Sequence, residues 1–327
     1  MKFGRLHNRS GRALPWRCRS PIPLASTPRR VLWRRRHPQG ETITMASPQP
    51  GILMEEKSSA LFLVLKARRG ANGRTLIRAA ATAPALTANM ATRDARAGLR
   101  CTVAFGGGLL ARTSGWKTMP AEFEELKPLR TNAGTVPRTT ADVLFHIGSS
   151  RHDLNFELAQ ALLGEIGDLA EVVEEVSGFR YLDGRDLTGF IDGTANPKGR
   201  ERADAALIGA EDRAFAGGSF VLIQRYVHQM RAWRKLSQTQ QEAAVGRTKK
   251  DSVELPGKKK LPTAHISRVE IDGPDGQELA IVRHSFPYGA AGGEKGLFFI
   301  AYARQASTFN AMLANSSAPA LTASPID

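Results

Sequence analysis

The chain has 327 residues, 42% of them hydrophobic and 24% charged, and its 46 Lys and Arg against 31 Asp and Glu leave a net charge of +15. That length and apolar content suit one large or two medium globular domains and exclude a collagen-like or wholly disordered chain. Two cysteines, Cys18 and Cys101, are too few for a disulfide framework or a thiolate metal site, and no apolar run approaches the roughly 20 residues that cross a membrane. A soluble, cytoplasmic protein is the expectation.

Most of the charge sits at one end. Residues 1–44 hold eleven Lys and Arg against the single Glu41, which is ten of the fifteen net positive charges. This Arg-rich, unpatterned stretch is expected to be disordered, as part of a basic extension over residues 1–47. It lacks the apolar centre of a secretory signal, so a transit peptide or a true start at Met45 are the open readings. A nucleic-acid or membrane-surface arm would need more aromatic interleaving than Trp16 and Trp33 supply, and neither partner is expected.

The run SALFLVLK over Ser59–Lys66 reads as a strand, Thr75–Met90 as helical with a break at Pro84, and Leu99–Phe105 and Asp142–Ile147 as further strands. Helical spacing of Leu154, Leu158, Ala161, Leu162 and Ile166 predicts a helix over Asp153–Ile166. Glu171–Val176 and Phe179–Leu182 return to strand character, completing β-α-β-β-α-β. The order then recurs. Ser219–Val227 reads as a strand, and Ser237 with Gln240 forms a capping-box pattern that opens a short helix through Ala244. Ser267–Ile271 and Leu279–Ser285 flank a turn at Asp272–Gly276, Gly296–Arg304 is another strand, and Ser307–Asn315 another helix. Two such units make an α+β protein with two ferredoxin-like domains, divided as residues 48–195 and 196–327, each with an antiparallel sheet. The second unit shows no obvious last strand, because NSSAPALTASPID has weak strand character.

Chemistry concentrates in DGRDLTGFIDGTANPKGR, Asp183–Arg200, a loop with three acids and four glycines just past a strand. Apolar Phe190 and Ile191 beside Asp192 would dehydrate its carboxylate, although an ordinary turn aspartate fits the same spacing. His265 precedes the Ser267 strand in a loop, with no His or Cys near it at zinc-ligand spacing, and on its own reads as a structural or surface residue rather than a ligand. His146 and His228 fall in strands as core or sheet-face residues, and His152 starts a helix beside Asp153. Arg283 closes the apolar run LAIV, where a buried guanidinium needs an anionic partner and an edge-strand arginine needs none. Arg247 stands in the basic loop GRTK, which can clamp a propionate or phosphate or simply be solvated.

GFIDG, Gly189–Gly193, matches the GxxDG motif of dye-decolorising peroxidases, within the longer match GFR (Gly178–Arg180) and DLTGFIDGTANPKG. VGRTK, TAHISR, IVRHSFPYG and GLFFIAYAR follow in family order, so the chain resembles the bacterial B-type branch from about Pro50 to Leu313. The resemblance implies haem b held between two ferredoxin-like domains, mostly against the second. It implies His265 as the iron ligand. Asp192 is implied as the distal acid and base, with Gly193 beside it, and Arg283 as the stabiliser of developing negative charge. Ser285, on the same strand face, would hold a distal water, and Phe299 would keep the pocket dry. Arg247 becomes the candidate for a haem propionate.

The implied partners are hydrogen peroxide and a small aromatic or dye-like reductant that gives electrons one at a time. Tyr226, Trp233, Tyr288 and Tyr302 are candidate relays or plain packing residues. Family members are often homo-oligomers, and some occupy encapsulin shells, for which no packaging tail stands out here. Compared with the family, the chain stops short of a last strand and of a carboxylate that bonds the proximal histidine, so weaker haem binding is an expectation. The contrasting reading is a haem-handling protein whose peroxidase activity is incidental or lost. A carrier needs no distal acid and arginine, so Asp192 and Arg283 favour the enzyme.

Overall fold

Residues 59–65 are apolar without a break after Ser59, which a strand needs only when both its faces are buried. Leu61, Leu63 and Leu65 enter one core and Ala60, Phe62 and Val64 another. The strand is the partition between two packed layers. This computed structural model describes residues 34–36, 42–44, 47–113, 119–123, 129–131, 134–136, 139–273 and 276–317. Expectations that concern Cys18, Met45, most of the basic extension and the NSSAPALTASPID tail beyond Ser317 lie outside the described residues.

Two three-residue strands, β1 (Arg34–Arg36) and β2 (Thr42–Thr44), pair antiparallel within the stretch expected to be disordered. The first half then runs β3 (Ser59–Ala67), α1 (Gly73–Ala80), α2 (Ala83–Ala91), β4 (Arg100–Phe105) and α3 (Gly107–Arg112). It continues through a small hairpin, β5 (Leu129–Thr131) and β6 (Gly134–Val136), to β7 (Val143–Ser149), α4 (His152–Ile166) and β8 (Ala170–Phe179). The second half runs α5 (Gly199–Ala206), β9 (Phe220–Val227), α6 (Met230–Trp233), α7 (Gln238–Val245) and α8 (His265–Val269). It ends with β10 (Val282–Arg283), β11 (Phe286–Gly289), β12 (Lys295–Ala303) and α9 (Ala306–Ser317).

Strand order in the first half is β8-β3-β7-β4, all antiparallel, which numbers 4-1-3-2 in chain order and is the ferredoxin-like arrangement. The second half repeats it as β9-β12 followed by β10 and β11, or 1-3-2. Among the described residues no fourth strand pairs with the outer edge of β9. The architecture is the expected α+β with two ferredoxin-like units, and the two sheets are joined into one. Tyr288 of β11 pairs with Gly178 of β8, and a Cβ at Gly178 would lie 2.4 Å from the Phe286 Cβ. Only glycine allows that approach.

Helices α1, α2 and α4 cover one face of the first sheet through Leu76, Leu154, Leu158 and Leu162. Between the joined halves lies the second core, with Phe62 stacked on Phe298 at 4.2 Å between ring centroids. It holds buried polar groups: His146 Nδ1 lies 2.9 Å from the Tyr302 hydroxyl, and His284 Nε2 donates to the Ile52 carbonyl at 2.9 Å. These bonds answer the cost of burying imidazole and phenol in an apolar layer.

Three local expectations need correction. Glu171–Val176 and Phe179–Leu182 are not two strands: β8 is continuous, and Leu182 adopts a left-handed φ of 48° that turns the chain into the glycine-rich loop. Ser267–Ile271 is not a strand. His265 opens the single-turn helix α8, held by Ser267 Oγ donating to the Leu261 carbonyl at 3.0 Å and by Asn315 Nδ2 of α9 donating to the Arg268 carbonyl at 2.8 Å. Five residues are too few for period 2 and period 3.6 to be told apart, and contacts from α9 decide. Leu279–Ser285 yields only β10, though Arg283↔Ala301 and Phe286↔Phe298 keep one register through the break.

Candidate active site

The loop after β8 is tied down at nearly every turn. Arg185 pairs with Asp183 at 2.8 Å and donates to the carbonyls of Gly189 (2.9 Å), Lys249 (2.5 Å) and Lys250 (2.9 Å). Asp186 accepts from the Thr188 N–H at 3.0 Å and hydroxyl at 2.5 Å, and its other oxygen lies 2.9 Å from His228 Nε2. Gly189 sits at φ +91°, and a Cβ there would meet Lys249 Cε at 2.6 Å, so the turn into Phe190 requires glycine. Phe190 is buried, which anchors the segment that delivers Asp192.

Asp192 donates its backbone N–H to the Gly184 carbonyl at 3.0 Å, while its Oδ1 accepts from the Gly193 N–H at 2.7 Å. Four residues on, the Asn196 side chain bonds both backbone groups of Arg283, at 2.8 and 2.9 Å. The loop and β10 thus share a rigid connection. Asp192, Gly193, Asn196, Arg283 and Ser285 line one cleft of about 620 Å³, counting the space open to solvent.

Burial lifts the Asp192 carboxyl above its usual pKa, against the pull of Arg283 and of the Gly193 N–H. His265 feels the charges of both Arg283 and Asp192, so the three side chains share one electrostatic neighbourhood. Desolvation lowers the His265 pKa first and Arg283 lowers it further, which keeps the imidazole neutral. The residue as a whole is nevertheless exposed. A residue both surrounded and open lies in a recess.

Cross-strand register places the remaining residues. Ser285 and Phe299 fall opposite each other between the Arg283↔Ala301 and Phe286↔Phe298 pairs, and Phe299↔Gln224 and Leu297↔Tyr226 continue the same face onto β9. This face carries Arg283 and Ser285. Helix α9 covers its far part through Phe309 on Leu222 and Ala301. Phe299 and Leu297 stay half-buried and Tyr226 is 46% exposed, so an apolar strip of the face stands open. Ser285 Oγ accepts weakly, at 3.4 Å, from the Ile300 N–H. Arg247 is set differently: it donates to the Ser252 carbonyl at 3.1 Å and stands 3.7 Å from Glu270 and 3.9 Å from Glu254, both of which also pair with Lys260.

The structure therefore gathers Asp192, Gly193, Arg283 and Ser285 on one cleft, sets His265 outside that cleft's lining but within electrostatic reach of Asp192 and Arg283, and leaves Arg247 within an ion-pair network. Asn196, Arg185 and the Asp186–His228 pair were not singled out from the sequence. Their partners are remote in the chain, and only the density of Asp, Asn and Gly in the loop hinted at such bonding.

Residues 49–180 match the Dyp-type peroxidase N-terminal family and residues 183–321 the Dyp-type peroxidase C-terminal family. The chain belongs to the Dyp-type peroxidases. A dye-decolorizing peroxidase of Mycobacterium tuberculosis is 40% identical over 275 residues, covering 84% of this chain and 81% of the relative. Among solved structures, a variant of Rhodococcus jostii DypB in complex with heme superposes with a TM-score of 0.77 at 37% identity, over 82% of this chain and 86% of that one. The encapsulated Dyp-type peroxidase of Mycobacterium smegmatis gives a TM-score of 0.79 at 37% identity, over 83% and 87%.

Proposed function

We propose that this Dyp-type peroxidase holds haem b in the recess between His265 and the Arg283 face of the second sheet, and uses it to reduce hydrogen peroxide at the expense of aromatic or dye-like donors. What supports the reading most is the cleft that Asp192, Arg283 and Ser285 line together, held by the Asn196 clamp on Arg283, with His265 within electrostatic reach of both charged side chains.

Haem fits these residues. Among the described residues no group of three or more His, Cys, Asp or Glu is placed to hold a bare metal ion, whereas haem iron asks for as little as a single protein ligand, which His265 would supply. The open strip of Leu297, Phe299 and Tyr226 offers the apolar surface that a flat ring covers. Arg247 would meet a propionate only by loosening its contacts to Glu254 and Glu270, and the four-charge network is neutral as it stands.

Bound there, haem supplies the redox-active iron at which peroxide is reduced. The protein's part is proton and charge handling. Asp192, as carboxylate, takes the proton from the inner peroxide oxygen and returns it to the leaving oxygen. Arg283 balances the negative charge that grows on the leaving group, and the Asn196 clamp holds that guanidinium's backbone against the Asp192 loop. Ser285, on the same strand face, positions a water beside them, and Phe299 limits access of further water.

In this reading the two units divide near residue 195, self-association is expected, and a cytoplasmic location and an encapsulin shell as partner rest on the encapsulated relative. A haem carrier would have no use for Asp192 beside Arg283. The test is stoichiometric: the haem-loaded protein should oxidise two equivalents of a one-electron aromatic donor per peroxide, and Asp192→Ala should slow turnover at least a hundredfold. Peroxide loss that ignores the donor, or full activity in the variant, would overturn the reading.

A further inference from the structure

Asp192 and His265 are delivered by different stretches of chain, and one side chain ties those stretches together. The Arg185 guanidinium has five N–H groups, and all five are used. Nε and Nη2 donate to the two Asp183 carboxylate oxygens at 2.8 and 3.0 Å, Nη1 to the carbonyls of Gly189 and Lys249 at 2.9 and 2.5 Å, and Nη2 also to that of Lys250 at 2.9 Å. Asp183 and Gly189 belong to the Asp192 loop, and the Arg185 backbone bridges to Ile191, the residue before Asp192. Lys249 and Lys250 belong to the loop between α7 and α8, 64 and 65 residues further on.

Along that second loop the contacts run on to His265. Gly246 ends α7 at φ +92°, and a Cβ there would lie 2.5 Å from Ile266 Cγ1 and 3.2 Å from the Ala264 Cβ. Ala264 and Ile266 are the buried residues on either side of His265, so the start of the loop rests directly on the turn that presents the histidine. Arg247, next in the chain, stands 3.7 Å from Glu270 at the end of α8. Lys249 closes the contact with the Asp192 loop: its Nζ lies 5.7 Å from the centre of the Phe190 ring and donates to Gln241 Oε1 at 2.7 Å. Although Arg185 lines the cleft with Asp192, its N–H groups are all taken, which leaves none for a peroxide. Its effect on the site therefore passes through the two loops.

We propose that Arg185 is a positioning residue that fixes the separation between the Asp192 loop and the His265 helix, and with it the opening that receives haem between acid and ligand. The inference rests on the peroxidase reading. A planar fork that reaches three carbonyls on two loops fixes distance and angle together, whereas an ammonium at the same place is a single point of charge. The ion pair itself matters little, because Asp183 is 61% exposed and its charge is screened by solvent. Without the fork, three carbonyls lose a charged donor and the two loops can shift against each other. The acid and the iron ligand then lose their common frame.

The test compares Arg185→Ala, Arg185→Lys and Asp183→Asn by the rate of the peroxide-driven change in the haem spectrum, the rate of haem loss to apomyoglobin, and backbone hydrogen exchange of the full chain with and without haem. Arg185→Ala should slow the peroxide step about 10²-fold and release haem about tenfold faster. Exchange should rise together in residues 189–193 and 264–270. Ethylguanidinium, which replaces the missing fork, should raise the peroxide rate of Arg185→Ala about tenfold, and propylammonium should not. Arg185→Lys should behave as Arg185→Ala does, and it takes the same readouts if the alanine variant fails to fold. Asp183→Asn should stay within about twofold of wild type throughout. A wild-type peroxide rate in Arg185→Lys, faster exchange confined to residues 183–193, or rescue by ethylguanidinium no greater than by propylammonium would each overturn the proposal. A wild type with no peroxide-driven spectral change would remove the peroxidase reading instead, while exchange in the haem-free chain would still decide whether Arg185 ties the two segments together.

Discussion

The side-chain amide of Asn196 stands beside Arg283 as a neighbouring strand would: Nδ2 donates to the Arg283 carbonyl at 2.8 Å, and Oδ1 accepts from the Arg283 N–H at 2.9 Å. The two residues are 87 apart in the chain. This pairing satisfies backbone groups where β10 would otherwise be a bare edge, and it fixes the separation between the Asp192 loop and the arginine.

Asn196→Ala removes both bonds and leaves two partly buried backbone groups without them. Stability should fall by about 1–3 kcal/mol in urea unfolding. The peroxide step should slow by about 10- to 100-fold in stopped-flow, because the two side chains lose their fixed spacing. Asn196→Asp, which keeps only the acceptor for the Arg283 N–H, should fall between. Unchanged stability and rate in Asn196→Ala would show that the clamp is not needed.

Asp192 makes a prediction with a definite sign in pH. Burial raises its pKa above 3.8, so the folded chain holds that proton more tightly than the unfolded chain does. Such a group favours folding most below the unfolded pKa, and the benefit is lost as pH rises through the unfolded and then the folded value. At neutral pH the buried carboxylate is a net burden. Asp192→Asn should therefore raise the unfolding temperature at pH 7 and lose that advantage below about pH 3. In the same variant the peroxide step should slow by about 10²- to 10⁴-fold. In wild type that step should gain speed as pH rises through a midpoint above 3.8. A variant less stable at pH 7 than wild type would contradict the assignment.

In the inter-half core, His146 Nδ1 lies 2.9 Å from the Tyr302 hydroxyl, while its Nε2 has no partner among the described residues. Burial holds this histidine well below its usual pKa, so it is neutral. Tyr302→Phe leaves the ring with no hydrogen bond and should destabilise the chain by about 1–3 kcal/mol. His146→Leu combined with Tyr302→Phe should be less damaging than the sum of the single changes, since both polar groups are then gone. Strict additivity in urea titrations would show that the pair is not coupled.

Element order was legible in the sequence wherever the apolar pattern was long enough. The nine residues of β3 and the fifteen of α4 each bury enough side chains for their period to be read. The capping box of Ser237 and Gln240 was legible because it is local, and it is present at the head of α7. Helix α8 was not legible, since a single turn takes its stability from Asn315 of α9 rather than from its own period. The union of the two sheets was hidden as well, because it depends on what a missing Cβ at Gly178 permits 108 to 110 residues further along the chain, at Phe286 and Tyr288. At the site, the loop's residue types announced chemistry around Asp192. The sequence could not say that Asn196 reaches Arg283, or that Arg247 spends its charge on Glu254 and Glu270.

The most direct test of the account is the visible spectrum of haem-reconstituted protein, recorded with and without hydrogen peroxide for wild type, His265→Ala and Asp192→Ala. The account predicts a Soret band that depends on His265, and a peroxide-driven spectral change that slows by about 10²-fold or more in Asp192→Ala while haem stays bound. A haem spectrum indifferent to the loss of His265, or a peroxide response as fast without Asp192 as with it, would contradict it.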